Sequence, residues 1–152
     1  MFELILQLDL PAALRLAAAG QIAVALLNLA LVRIMGWKPD LDQLPLLIRE
    51  VFYVHSWFIS ITLVLFGIFT WRFAIEMESN LACRWLAAGI AFFWFFRTLL
   101  QVGYYSSSHW RGQPGRTVIH GTLLIAYGAL SAIYACAAFR PLLERLPLCL
   151  LY

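Results

Sequence analysis

Three histidines and one glutamate are the residues of this sequence best suited to bind a metal or to move a proton. His55 and His120 each lie about one helical turn inside a long apolar segment, Glu50 precedes the first of these histidines, and His109 lies in a polar loop. Imidazole and carboxylate groups are ligands for zinc, copper and iron, and a loop histidine can leave an open position for water. A transition-metal site made of these four residues is one hypothesis. It depends on topology alone, because the sequence contains no H-x-x-x-H or H-E-x-x-H pair.

The two helical histidines also suit a second cofactor. Paired imidazoles on facing helices of a membrane bundle hold haem b, so His55 and His120 are candidate axial ligands, with Arg97 available for a propionate. The sequence has no C-x-x-C-H motif for covalent haem attachment. Without a metal, either histidine could act as an acid or base on a lipid headgroup held by Arg97, which defines a lipid-acting membrane enzyme as a further alternative.

A row of polar residues supports a cofactor site at the same depth. Arg97, Gln101 and Tyr104 recur at i, i+4 and i+7, which is one face of a helix. A guanidinium two turns inside an apolar span is costly unless it reaches water or an anion, and Glu50, a lipid phosphate or a haem propionate could supply that anion. Together with the two helical histidines, this row predicts a polar cofactor-binding site near one leaflet.

The hypothesis that the residues favour most is a polar network without chemistry. Such a network would hold helices in register within a larger membrane complex as an accessory subunit, or bind a lipid or a quinone. A polar stripe on the last long apolar segment is expected to face the helix bundle, and its members are Thr117, His120, Tyr127, Ser131 and Tyr134. A nucleotide enzyme and a serine hydrolase are disfavoured, since the sequence lacks a glycine-rich phosphate loop and a G-x-S-x-G motif.

The elements that position these residues are membrane spans. Of the 152 residues, 63% are hydrophobic and 12% are charged, which is about half the charge of a soluble domain. The net charge of +3 is scattered along the chain, which argues against nucleic-acid binding. Windows long enough to cross a bilayer cover residues 11–35, 51–71, 81–103 and 117–139. The sequence therefore predicts an all-α integral membrane four-helix bundle, with residues 1–152 as a single transmembrane domain.

Glycine, proline and capping residues predict where the helices begin and end. Gly36 should stop the first helix, and Asp42 followed by Pro45 fits an N-cap for the second, which is expected to start near residue 44. Pro141 and Pro147 suggest that the residues after 139 form an interfacial tail.

Four spans place both termini on one side of the membrane and all three histidines toward the other. With Arg97 inside a span, the other ten basic residues divide five to five between the sides, so the positive-inside rule gives no orientation. Cys83, Cys136 and Cys149 all lie toward the termini, and reduced cysteines favour the cytoplasm for that side. A bacterial inner membrane is the expected location.

One wider resemblance covers most of the chain. The stretch from Arg49 to His55, the pair Phe96 and Arg97 followed by Gln101, and then His120 resemble small four-span bacterial membrane proteins. The resemblance implies a recurring set of positions and no activity.

Overall fold

The computed structural model describes residues 9–104 and 114–149, and within these residues it contains helices and no strands. The predicted all-α class is confirmed. The helices, in chain order, are α1 (Leu10–Ile34), α2 (Lys38–Asp42), α3 (Leu46–Arg72), α4 (Glu76–Ser79), α5 (Leu81–Gly103) and α6 (Pro114–Cys149).

Four of these helices are long and apolar enough to cross a membrane. The candidate spans are Leu10–Ile34, Leu46–Arg72, Leu81–Gly103 and Thr117–Arg140. Large apolar side chains lie exposed along them, as expected of helices that face lipid. The chain is therefore an integral membrane protein with four candidate transmembrane helices.

Helix α6 continues beyond the end that the prolines suggest. It runs for 36 residues to Cys149 and includes Pro141 and Pro147. A proline inside a helix removes one N–H and so deprives one carbonyl of its donor, but neighbouring groups can replace that hydrogen bond in a membrane. The interfacial tail predicted after residue 139 is thus, up to Cys149, a continuation of the last helix.

The chain divides into two compact units, Arg15–Arg72 and the remainder. In the first unit, α1 ends at Ile34, and Gly36 terminates it as the sequence predicts. This glycine has a φ of +67°, a left-handed conformation that glycine adopts without steric cost. Trp37 N–H donates to the Val32 carbonyl at 3.0 Å and Gly36 N–H to the Arg33 carbonyl at 3.3 Å, the two hydrogen bonds of a Schellman ending.

The loop after α1 corrects the predicted N-cap. Asp42 lies at the end of α2, where its carboxylate accepts hydrogen bonds from Lys38 Nζ at 2.6 Å and from Arg49 Nη1 at 3.4 Å. The hydrogen bond with Lys38 lowers the pKa of Asp42 and raises that of Lys38. Pro45 immediately precedes α3, so the predicted start was close, but Asp42 stabilises the loop through charge and does not cap α3.

Helices α1 and α3 approach closely at a glycine and are joined by an asparagine. A β-carbon on Gly67 would lie 3.0 Å from the Ala18 carbonyl oxygen and 2.9 Å from Ile22 Cγ1. Asn28 Nδ2 donates to Ser60 Oγ at 2.9 Å and to the Ser56 carbonyl at 3.1 Å. Small residues and single amide hydrogen bonds are the usual means of helix association in membranes.

The second unit contains α5 and α6 packed against each other. Asn80 caps α5, since its Oδ1 accepts hydrogen bonds from the N–H groups of Ala82 at 2.9 Å and Cys83 at 3.4 Å. The buried side chains of the pair include Ile90, Trp94 and Tyr134. These contacts hold the end of α5 beside the start of α6, where the candidate site lies.

Candidate functional site

The centre of the site is a hydrogen bond between α5 and α6. Gln101 Nε2 lies 2.8 Å from His120 Nδ1. Gln101 is only 4% exposed, while His120 is half-buried. The two residues are 19 positions apart in the chain, and the antiparallel course of the helices brings them together.

The amide of Gln101 is only partly satisfied. Its Oε1 is buried and makes no hydrogen bond within the described part of the chain. Exchanging the amide oxygen and nitrogen would make His120 Nδ1 the donor and leave the amide nitrogen as the unmatched atom. Either arrangement therefore leaves one buried polar atom of Gln101 without a partner among residues 9–104 and 114–149, which is rare in proteins because it costs about 1–3 kcal/mol.

A stack of charged and aromatic groups adjoins this hydrogen bond. The Arg97 guanidinium carbon lies 5.1 Å from the centre of the Tyr127 ring, and Tyr127 stacks on Trp94 with ring centres 5.1 Å apart. Arg97 stands one helical turn before Gln101 on α5. A cation over an aromatic ring away from water gains about 2 kcal/mol or more, so Tyr127 helps to hold the charge of Arg97 within the span.

The predicted polar stripe of α6 faces α5 along its buried half. Tyr127 and Tyr134 are buried, and Ser131 Oγ donates to the Ala91 carbonyl at 3.1 Å. Thr117, at the start of the stripe, is exposed. The middle of the stripe therefore joins the two helices, as the sequence predicts.

The other predicted site residues are Tyr104, His55, Glu50 and His109. Tyr104 is 80% exposed, in contrast to its helical neighbour Gln101. His55 and Glu50 are exposed on α3 in the other unit, and His109 lies outside the described residues. Of the predicted cofactor-binding set, Gln101 and His120 are in contact and Arg97 is adjacent to Gln101 on α5. The roles of His55 and Tyr104, and a pairing of Arg97 with Glu50, stay predictions.

The metal hypothesis likewise stays a prediction. Within the described residues, no group of three or more histidine, cysteine, aspartate or glutamate side chains is arranged to hold a metal ion. One of the four proposed ligands, His109, is not among those residues.

Sequence reasoning assigned no role to Trp94 and placed Tyr127 only in the polar stripe expected to face the helix bundle. Trp94 precedes Arg97 by three positions, which places both on one face of α5. An aromatic residue one turn from an arginine inside an apolar span is a signal for a cation–aromatic stack. The partner ring on α6 could not be chosen from the sequence, because two tyrosines and one histidine share its stripe.

No protein-family model, no curated protein and no solved structure matches this chain. The fold and the site therefore define it only as an all-α integral membrane protein with a polar helix-helix contact.

Proposed function

We propose that this protein binds the ring of a membrane quinol at Gln101 and His120, as a small subunit of a bacterial inner-membrane complex. The unmatched buried oxygen of Gln101 carries this proposal. A buried hydrogen-bond acceptor is stabilised when a donor binds it, and a quinol carries two O–H donors on a flat apolar ring.

The burial of Gln101 favours a quinol over a phospholipid headgroup. Gln101 lies two residues before the end of α5 at Gly103, about 3 Å along the helix axis and so near the headgroup layer, but its side chain is only 4% exposed. A charged headgroup phosphate is costly to bury away from water, whereas an uncharged quinol ring is not. The stacked rings of Trp94 and Tyr127, both buried, form the apolar part of the α5–α6 contact next to the site.

Each residue of the site has a distinct task in this proposal. His120 accepts the amide N–H of Gln101 and so orients the amide. The oxygen of that amide then accepts a hydrogen bond from the quinol hydroxyl. The guanidinium of Arg97 lies over the Tyr127 ring and keeps a positive charge near the quinol. This charge favours electron-rich forms of the quinol.

The test is a binding titration of the detergent-purified protein with a short-chain ubiquinol, followed by calorimetry. The matched ligand is the same molecule with both hydroxyls methylated, which keeps the ring and removes the donors. We expect the ubiquinol to bind several-fold more tightly than its dimethyl ether. Gln101→Leu should weaken ubiquinol binding by a few-fold to about tenfold, the value of one hydrogen bond.

The control variant is Gln21→Leu, which removes a second fully buried glutamine in the other unit. It should leave ubiquinol binding unchanged. Equal affinity for the two ligands, or full binding by the Gln101→Leu protein, would show that the unmatched oxygen holds water or a phospholipid hydroxyl. A Soret band in the purified protein that disappears in His120→Ala would assign the site to haem b in place of a quinol.

A further inference from the structure

A second feature lies at the opposite end of the α5–α6 pair, far from Gln101 along the helix. Arg84, in the first turn of α5, donates from Nε at 3.1 Å and from Nη2 at 2.9 Å to the backbone carbonyl of Ala138 on α6. A neutral carbonyl does not cancel the charge of a guanidinium. Two of the five N–H donors are used by this carbonyl, and the guanidinium makes no ion pair with any described residue.

A neighbouring arginine shows the contrast. Arg140, also at this end of α6, pairs with Glu78 through Nη1 and Oε1 at 3.2 Å. The carboxylate of Glu78 thus compensates Arg140, while Arg84 has no such anion among the described residues. Charged groups at the end of a membrane span are stable when they reach the headgroup layer, and Arg84 lies about 4.5 Å along the axis from Leu81, where α5 begins.

Arg84 borders an open groove. The groove has a volume of about 200 Å³ and is lined by Leu81, Arg84, Trp85, Ala88, Ala138 and Phe139. Its lining is almost entirely apolar apart from the guanidinium. Trp85 is 72% exposed and stands in the first turns of α5, the level at which tryptophan is enriched at membrane interfaces.

We propose that this groove binds an anionic phospholipid. The phosphate of the lipid pairs with the remaining N–H groups of Arg84, and one acyl chain runs along Trp85, Ala88 and Phe139. Charge complementarity favours this occupant, because a cation with no counter-ion among the described residues adjoins an apolar groove at the end of the span. A lipid with one net negative charge satisfies both parts, because its headgroup is anionic and its tail is apolar.

The experiment measures quenching of Trp85 fluorescence by lipids brominated on their acyl chains. The protein is reconstituted into phosphatidylcholine vesicles that contain a minor fraction of brominated phosphatidylglycerol or of brominated phosphatidylcholine. Because the chain has six tryptophans, the contribution of Trp85 is obtained by subtracting the signal of Trp85→Phe. We expect brominated phosphatidylglycerol to quench Trp85 several-fold more effectively than brominated phosphatidylcholine.

Three variants separate charge from shape. Arg84→Gln keeps a donor for the Ala138 carbonyl but removes the charge, and it should abolish the preference for phosphatidylglycerol. Arg72→Gln removes a positive charge at the end of α3, nine positions before α5 begins, and should leave the preference intact. Ala88→Leu fills the groove and should reduce quenching by both brominated lipids. Circular dichroism of each variant establishes that the helices are retained.

Two results would overturn the proposal. Equal quenching of Trp85 by the two brominated lipids would show that Arg84 selects no anion. Weak quenching by both lipids, together with disulfide-linked dimers of Ala88→Cys, would show that a second copy of the chain covers the groove.

Discussion

Gln101 differs from several serines and threonines of the spans because its own helix does not satisfy its side chain. The hydroxyls of Ser60, Thr62, Thr70 and Thr98 each donate to the carbonyl four residues earlier, at 2.9, 2.9, 2.7 and 2.8 Å. A short side chain can reach that carbonyl, and such residues are satisfied within one helix. A glutamine amide has a donor end and an acceptor end, and His120 satisfies only one of them. The sequence predicted Gln101 and His120 as site residues from depth and periodicity, but their contact depends on side-chain geometry that spacing does not encode.

The coupling of Gln101 and His120 is open to a double-mutant cycle. His120→Ala leaves the buried amide of Gln101 without its partner, and we expect a loss of about 1–3 kcal/mol in the free energy of unfolding. Gln101→Leu removes both the hydrogen bond and the unmatched oxygen, so its cost should be about 1 kcal/mol or less. In the Gln101→Leu background, His120→Ala should cost less than it does alone. Reversible unfolding in mixed micelles measures these values, and strict additivity of the two substitutions would contradict the coupling.

At the scale of the element, apolar length predicted the helices better than proline predicted their ends. Pro141 lacks an N–H, so the Ala137 carbonyl loses its ordinary donor, yet α6 continues to Cys149. The next carbonyl, that of Ala138, receives two N–H groups from Arg84. Such a contact comes from a residue 54 positions away, and a local reading of the prolines could not foresee it.

Gly67 and Gly20 offer a matched pair of glycines for testing the α1–α3 contact. A β-carbon on Gly67 meets the Ala18 backbone at 3.0 Å, whereas one on Gly20 meets nothing within 4 Å. Gly67→Ala forces the helices apart, and we expect it to lower the free energy of unfolding by about 1–3 kcal/mol. Gly20→Ala should cause no loss. Unfolding of both variants under identical micelle conditions makes the comparison, and equal effects would show that the close approach does not contribute to stability.

At the scale of the whole molecule, hydropathy was sufficient to find the four spans, because each long helix is apolar over a bilayer's thickness. The sequence indicates less clearly which side of the membrane the termini face. Basic residues such as Arg84 and Arg97 make specific contacts within the α5–α6 pair, so they do not act simply as orientation signals. The expectation of cytoplasmic termini therefore depends on the cysteines.

Cysteine labelling tests the proposed orientation. In a background without Cys83, Cys136 and Cys149, a cysteine at position 109 and one at position 148 should react from opposite sides of the membrane. A membrane-impermeant maleimide applied to intact cells should label position 109, and position 148 only after lysis. Labelling of both positions from the same side would exclude a topology in which the last of four spans crosses the membrane between them.

The polar contacts between α5 and α6 have a consequence for biosynthesis. Arg97 and Gln101 contact a helix that the ribosome completes only later, so α5 emerges with two costly polar groups before their partners on α6 exist. We expect α5 to be retained in the translocon until α6 has been synthesised. The two helices should then enter the bilayer together as a hairpin. In a glycosylation-mapping assay, chains truncated after Gly103 should integrate α5 poorly, and extension through Cys149 should restore integration. Full integration of α5 in a chain that ends at Gly103 would show that this helix leaves the translocon without α6.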